Sequence, residues 1–382
     1  MGQEVPFGYS GKYELYYFPP GITFATRKFT IIPVLQYRKR NLQKFLIIQT
    51  AFIGDVVLAT ALIEKLHACY PDEQIDFLLR RGNESLLIHH PFLHEVLVWD
   101  KKQHKQKNLF KLLIRIRKTR YDKVINVQRF AATGLLTAFS GARETIGFDK
   151  NPFSFLFSKK IRHIVGGVEK RHETERNHEL IRDFTNQSYN RPVLYPTVAD
   201  FDFVKTFEKG KFITISPASV WFTKQYPAAQ WISFINKIPV GYHIFLLGGP
   251  DDIPLCESIQ ISMERGQTDL LAGKLSFLQS AALMSKAVMN YVNDSAPMHF
   301  ASAMNAPVTA VYCSTIPGFG FGPLSDIRHI VELELPLYCR PCGLHGYSSC
   351  PEGHFRCARE IRDEQLLKTL PGVPDSLLLH TD

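Results

Sequence analysis

The chain reads as an α/β protein built from two successive halves, each a parallel sheet flanked by helices. Three observations predict it. Its 382 residues exceed one ordinary α/β domain and suit two of about 100–200 residues each. Short apolar runs of strand length recur, as parallel strands buried on both faces require. Stretches of helical periodicity separate them, and strand–helix–strand alternation is the mark of a parallel sheet. Hydrophobic residues make up 45% of the chain, enough to fill two cores, and the 21% charged residues lie near the ordinary value of about 25%, which argues against extensive disorder.

Residues 1–43 are aromatic, proline-containing and irregular, and form an N-terminal extension. The first strand is Lys44–Gln49 (KFLIIQ). A turn at Thr50–Asp55 follows, in which Gly54 lets the backbone bend. The next stretch, VVLATALIEKLHACY, has helical spacing, with Leu58, Leu62 and Leu66 on one face. Strands follow at Ile75–Leu79, Val96–Val98 and Val124–Val127, with an amphipathic helix over Leu109–Arg117. A polar stretch from Lys159 to Asn190 contains KRHETERNHE, which opens a helix. The pattern loosens around Arg191–Asp202, at Pro192 and Pro196, and the boundary between a 44–200 domain and a 201–382 domain is placed there.

The second half repeats the rhythm. Strands are expected at Phe212–Ser216, Tyr242–Leu247, Val288–Val292 and Val308–Tyr312. Helices are expected at Ala228–Lys237, Leu255–Glu264, Ser276–Ser285 (with Ser276 as N-cap), Pro297–Met304 and, in the tail, Ala358–Thr369. No short-period repeat is present, which excludes a solenoid.

The net charge of +9 favours anionic partners. Lys and Arg are spread along the chain rather than gathered in one arm, which argues against dedicated nucleic-acid binding. No stretch approaches about 18 uninterrupted apolar residues. The opening residues lack the basic start and apolar run of a secretory signal. The expectation is a cytoplasmic chain whose membrane contact, if any, is peripheral.

Parallel sheets bind ligands at the carboxyl ends of their strands, so the loops after strands carry the candidates. Asp55 follows the first strand, where it either caps a helix or presents a carboxylate able to take a proton from a hydroxyl. The absence of G-x-G-x-x-G excludes a dinucleotide fingerprint. Ser219 and Lys224, in SPASVWFTKQYP, suit a diphosphate, or Lys224 is a solvated lysine of a surface loop. Asp252, in GGPDD, suits a ribose hydroxyl or simply a turn. Asp294, Ser295 and His299 open a helix whose free N–H groups make a phosphate seat; the alternative is that Asp294 or Ser295 simply caps the helix and His299 packs or caps. Ser314-Thr315 and Gly320-Phe321-Gly322-Pro323 lie where they can close over the same phosphates.

The segments FLIIQTAFIGDVVLATALIEKL, SPASVWFTKQYPAAQW, LLGGPDD and NDSAPMHFASAMNAPVTAVYCST resemble, in order, the motifs of glycosyltransferase family 9, over about Lys44 to Arg362. The lipopolysaccharide heptosyltransferases are its best-known members. The resemblance implies a GT-B fold of two Rossmann-like domains facing an interdomain cleft. It implies inverting, metal-independent transfer from ADP-heptose, without a cofactor, to a hydroxyl of a lipopolysaccharide core or lipid A precursor at the inner membrane face. By position Asp55 matches the family's catalytic aspartate and Lys224 its diphosphate lysine. Asp294, Ser295 and His299 match its donor-binding stretch, with Ala296 where glycine is common; Ser219, Asp252 and Gly322 complete the expected donor site.

Four cysteines crowd the 339–357 segment: Cys339, Cys342, Cys350 and Cys357, with His345 and His354 among them. They are either ligands of a structural zinc or free thiols; only the first pair has a common zinc spacing. Two alternatives stand beside heptosyl transfer. One is a GT-B enzyme using another nucleotide sugar. The other is a non-catalytic, basic, zinc-containing nucleic-acid-binding protein, which the ordered strand-end loops disfavour.

Overall fold

The computed structural model describes residues 42–166, 170–207, 210–264, 266 and 268–373. Most of the expected N-terminal extension therefore lies outside the described residues. The first half runs β1 (Lys44–Ile48), α1 (Ile53–Cys69), β2 (Gln74–Arg80), β3 (Glu95–Trp99), α2 (Lys105–Thr119), β4 (Lys123–Asn126), α3 (Ala131–Ala138), β5 (Glu144–Phe148) and β6 (Lys159–Ile161). Two helices follow, α4 (Glu173–His178) and α5 (Val198–Lys205). The second half runs β7 (Phe212–Ser216), α6 (Ala228–Lys237), β8 (His243–Leu246), α7 (Ile253–Ile261), β9 (Thr268–Leu270), α8 (Phe277–Met284), β10 (Met289–Asn293), α9 (Ala296–Ala303), β11 (Val308–Tyr312) and β12 (Arg328–Glu332). The last helices among the described residues are α10 (Arg356–Arg359) and α11 (Asp363–Leu367), two short helices where the sequence suggested one.

All ten strand pairings are parallel. The sheets are ordered β3-β2-β1-β4-β5-β6 and β12-β11-β10-β7-β8-β9. Counted by its own strands, each sheet has the same 3-2-1-4-5-6 order, the doubly wound Rossmann arrangement, whose ligand crevice opens where the order reverses. Here that means the β1/β4 edge in one sheet and the β7/β10 edge in the other. The α/β, GT-B type fold read from the sequence is the fold of the chain.

The central strands form because their residues are mostly apolar or β-branched, and β7, β10 and β11 are buried along their whole length, the polar Ser216, Asn290 and Asn293 included. The largest apolar cluster runs unbroken from Phe45, Ile47 and Leu62 in the first half to Met298, Ala310 and Tyr312 in the second. Helix α1 explains the continuity. Its sequence suggested one apolar face, yet Val56 to Ile63 are all buried, because α9 and α4 pack onto the side turned away from its sheet. The two sheets are thus joined through the helices that follow β1 and β10. Among the described residues no helix is long and apolar enough to cross a membrane.

Candidate active site

One pocket is lined by Gly54, Asp55, Ser219, Lys224, Asp294, Ser295 and His299, together with Phe52, Val220, Trp221, Ile316, Phe319, Phe321, Leu344 and His345. Six of the eight residues expected from the sequence to act on substrate therefore meet there, although they come from positions 55 to 299. Topology brings them together: Asp55 follows β1, Ser219 and Lys224 follow β7, and Asp294 to His299 follow β10. The pocket lies at the switch points of both sheets.

Asp55 sits in the first turn of α1, whose N-cap, Phe52, makes no side-chain cap bond. Backbone N–H groups of Phe52 and of Asp55 itself reach the carboxylate, so it does serve the helix start. It also faces the pocket, and its environment is that of a base. Burial, and then the nearby Glu173 carboxylate, raise its pKa from an ordinary 3.8 to about 6; the Phe52 and Asp55 amides and Arg80 pull the other way. A carboxyl group with that value is mostly ionised at neutral pH and still basic enough to accept a proton.

Gly54 has a different reason from the bend expected of it. It lies inside α1, and a Cβ added there would stand 2.8 Å from His299 Cδ2 and 3.6 Å from Ala296 Cα. The residue lets the starts of α1 and α9 approach. His299 is buried against it and held neutral: burial, then His172 and Lys224, push its pKa down to about 3. Its Nδ1 has no partner among the described residues.

Lys224 ends a single 3-10 turn, Phe222–Lys224. Its Nζ stands 2.7 Å from Asp294 Oδ2, with the two side chains 16% and 8% exposed. Thr315 donates its hydroxyl to the same carboxylate at 2.6 Å. Asp294 therefore does not cap α9, the other role open to it; it holds Lys224 over the helix start. The neighbouring Asn293 fixes the loop from behind, donating to Pro217 O at 2.7 Å and accepting from Tyr226 N at 3.0 Å. Ser295 is the N-cap of α9 and makes no side-chain cap bond.

Two expected donor residues do not line this pocket. Asp252 turns back on its own loop, accepting from Gly249 N at 2.8 Å. Gly322 contributes its carbonyl to His172 Nε2 at 3.0 Å, while Phe321 and Phe319 beside it face the cavity.

Sequence reasoning missed three parts of the site. The first is its apolar wall, for which an aromatic in a polar loop, Trp221, was the available signal. The second is α4. Glu173 N donates to Gly320 O at 2.7 Å, and Arg176 spans from Glu173 Oε2 (2.7 Å) to Phe319 O (3.0 Å). Burial works to raise the Glu173 pKa, but His163 and Arg176 outweigh it and keep the carboxylate ionised beside Asp55. The third is the cysteine-rich segment, which delivers Leu344 and His345 to the pocket. Its cysteines form no disulfide. All four border a separate cavity, and burial raises the pKa of Cys342, and that of Cys357 to about 12. Among the described residues no three His, Cys, Asp or Glu side chains converge as metal ligands.

The arrangement can take a proton on one side and hold an anion on the other. Comparison with known proteins places the chain in a family. The chain matches the model of glycosyltransferase family 9 (heptosyltransferase) over residues 109–345. It is 25% identical to lipopolysaccharide heptosyltransferase 3 of Escherichia coli over 278 residues, 69% of this chain and 82% of that one. Among solved structures it resembles E. coli ADP-heptose lipopolysaccharide heptosyltransferase II (TM-score 0.70, 22% identity, 88% and 99% of the two chains). It also resembles a family 9 glycosyl transferase of Veillonella parvula (TM-score 0.74, 20% identity, 89% and 98%). The chain belongs to glycosyltransferase family 9, and is an enzyme of the glycosyltransferase class.

Proposed function

We propose that the chain transfers a heptose from ADP-heptose to a hydroxyl of a lipopolysaccharide core precursor, with inversion at the anomeric carbon and no metal ion. The observation that carries this reading is the meeting of Asp55 with the Lys224–Asp294 pair in one pocket, from opposite sheets. Among the relatives and solved structures that share the fold are lipopolysaccharide heptosyltransferases, one described with ADP-heptose in its name.

The acceptor hydroxyl gives its proton to the Asp55 carboxylate as its oxygen attacks the anomeric carbon. The bond from that carbon to the diphosphate breaks on the opposite face, and ADP leaves with the electron pair. The charge that grows on the diphosphate is met by the Lys224 ammonium and by the free N–H groups at the start of α9. Both are fixed before reaction, which is where electrostatic stabilisation is strongest. Phe52, Trp221 and Phe321 give the sugar and acceptor apolar surface that excludes water. The acceptor is a glycolipid of the inner membrane face, and contact with that membrane is peripheral.

The test is incubation with ADP-, UDP- and GDP-linked sugars and a heptose-deficient lipopolysaccharide precursor, followed by mass spectrometry of the lipid. One added heptose from ADP-heptose alone is expected. Transfer only from a UDP- or GDP-sugar replaces the donor assignment, and transfer from none contradicts the reading.

A further inference from the structure

The sequence sets two histidines among four cysteines, and the structure parts them. His354 Nε2 stands 3.9 Å from Cys339 Sγ, beside the cysteine cavity. His345 instead lines the pocket that holds Asp55 and Lys224. The segment that carries it is anchored on both sides. Arg340 donates to Cys313 O (2.7 Å), Tyr312 O (3.2 Å) and Thr315 O (2.7 Å) and pairs with Glu332 (2.6 Å). Cys342 N donates to Ser314 O at 2.8 Å, and Tyr347 N to Thr223 Oγ1 at 2.8 Å. Gly346, at φ +75°, lies so close that an added Cβ would stand 2.8 Å from Thr223 Oγ1 and 3.1 Å from Lys224 Cγ. His345 is thus held beside the lysine loop from before and after.

The charged groups that act on His345 are Arg129, Lys224 and Asp294. Asp294 is already paired with Lys224. Arg129 follows β4 and has no ion-pair partner among the described residues; its guanidinium lies 5.8 Å from the Phe130 ring centre. The remaining titratable side chains of the pocket are Asp55 and the neutral His299. Asp294 is taken up by Lys224, so among the described residues Arg129 and His345 are the basic groups here without a counter-ion, and an anion seated between them and Lys224 would supply one.

We infer that His345 is a further donor-contacting residue, and that it closes with Lys224 and Arg129 on the diphosphate of the nucleotide, one cation coming from the first half and two groups from the second. This rests on the reading of the pocket as a nucleotide-diphosphate site. In the free protein burial, then Arg129 and Lys224, keep the imidazole below the ordinary histidine range. An arriving diphosphate reverses that balance, since an adjacent anion favours the charged form. Binding then takes up a proton, and affinity rises as pH falls toward 6.

The test uses calorimetric titration with ADP-ribose, whose diphosphate does not ionise near neutral pH, between pH 6 and 8 in two buffers of different ionisation enthalpy. Asp55 titrates in the same range, so the comparison is made in the Asp55→Asn background with and without His345→Gln, and with His345→Lys. The background protein is expected to bind up to about tenfold more tightly at pH 6 than at pH 8, with proton uptake. His345→Gln should lose both the tightening and the uptake, and His345→Lys should bind tightly at every pH. If His345→Gln keeps the affinity and proton uptake of its parent, the inference fails while the nucleotide reading stands. If the wild-type chain binds neither ADP nor ADP-ribose, the nucleotide reading fails and takes the inference with it.

Discussion

Asp55→Asn should make the protein more stable at neutral pH as well as inactive, and the size of the gain can be worked from the site. The carboxyl is raised from 3.8 to about 6 in the fold, by burial and by Glu173. A group whose folded pKa lies above its unfolded value binds its proton more tightly when folded. Stability therefore falls as pH rises from about 4 to about 6, and stays lowered above that. Roughly 2.2 pKa units at about 1.36 kcal/mol each give about 3 kcal/mol as the cost of keeping Asp55 ionised at pH 7 to 8. Asparagine is of similar size and carries no charge, so it removes most of that cost. Urea midpoints of both proteins at pH 8, 6 and 4.5 measure it. The variant should lead by up to about 3 kcal/mol at pH 8, by slightly less at pH 6, and by only about 1 kcal/mol at pH 4.5. A variant that is no more stable than wild type at pH 8, or whose difference does not change with pH, would show that Asp55 ionises without strain and that the basicity argued for it is wrong.

Lys224→Met should weaken ADP binding by about 10- to 100-fold, the worth of a charge-assisted contact. It should also destabilise the fold by leaving Asp294 buried without its cation, so that adding Asp294→Asn restores the midpoint but not the affinity. Gly54→Ala puts a methyl 2.8 Å from His299 Cδ2; forcing α1 and α9 apart should cost about 100-fold in kcat with little change in ADP affinity, read by steady-state kinetics and calorimetry. Asp252→Asn should lower stability by about 0.5–2 kcal/mol through its turn and leave ADP affinity unchanged; a drop in affinity would place that carboxylate on the nucleotide.

The fold was legible where strands are central and apolar. Lys44–Ile48, Phe212–Ser216 and Val308–Tyr312 lie in the sequence as short, predominantly apolar and β-branched runs because both their faces are covered. The edge strands β6, β9 and β12 escaped notice: KKI, TDL and RHIVE are short, charged and half-solvated, and pairing rather than composition makes them strands. β5 and α3 were hidden by glycine and small residues; Gly134 is close-packed on Asn151. α5 was lost to the two prolines before it, although Thr197 and Asp200 form a capping box that marks its start.

The site was legible to the extent that it hangs on strand ends. Asp55, Lys224 and Asp294 are each a few residues past a strand, and the sheet order does the rest. Glu173 and His345 are not: one arrives from a helix between the sheets and the other from a loop after the last strand. Only the packing of α4 on Gly320, and of Gly346 on Lys224, shows that they belong.

The pairing of a proton acceptor with a diphosphate seat is tested most directly by measuring ADP affinity and single-turnover sugar transfer on the same preparations of wild type and Asp55→Asn. The variant is expected to bind ADP at least as tightly as wild type and to lose transfer by about 100- to 10,000-fold, while the wild-type rate falls off below a pH of about 6. Transfer by Asp55→Asn at near wild-type rate, or a wild-type rate that holds steady from pH 7 to pH 5, would contradict it.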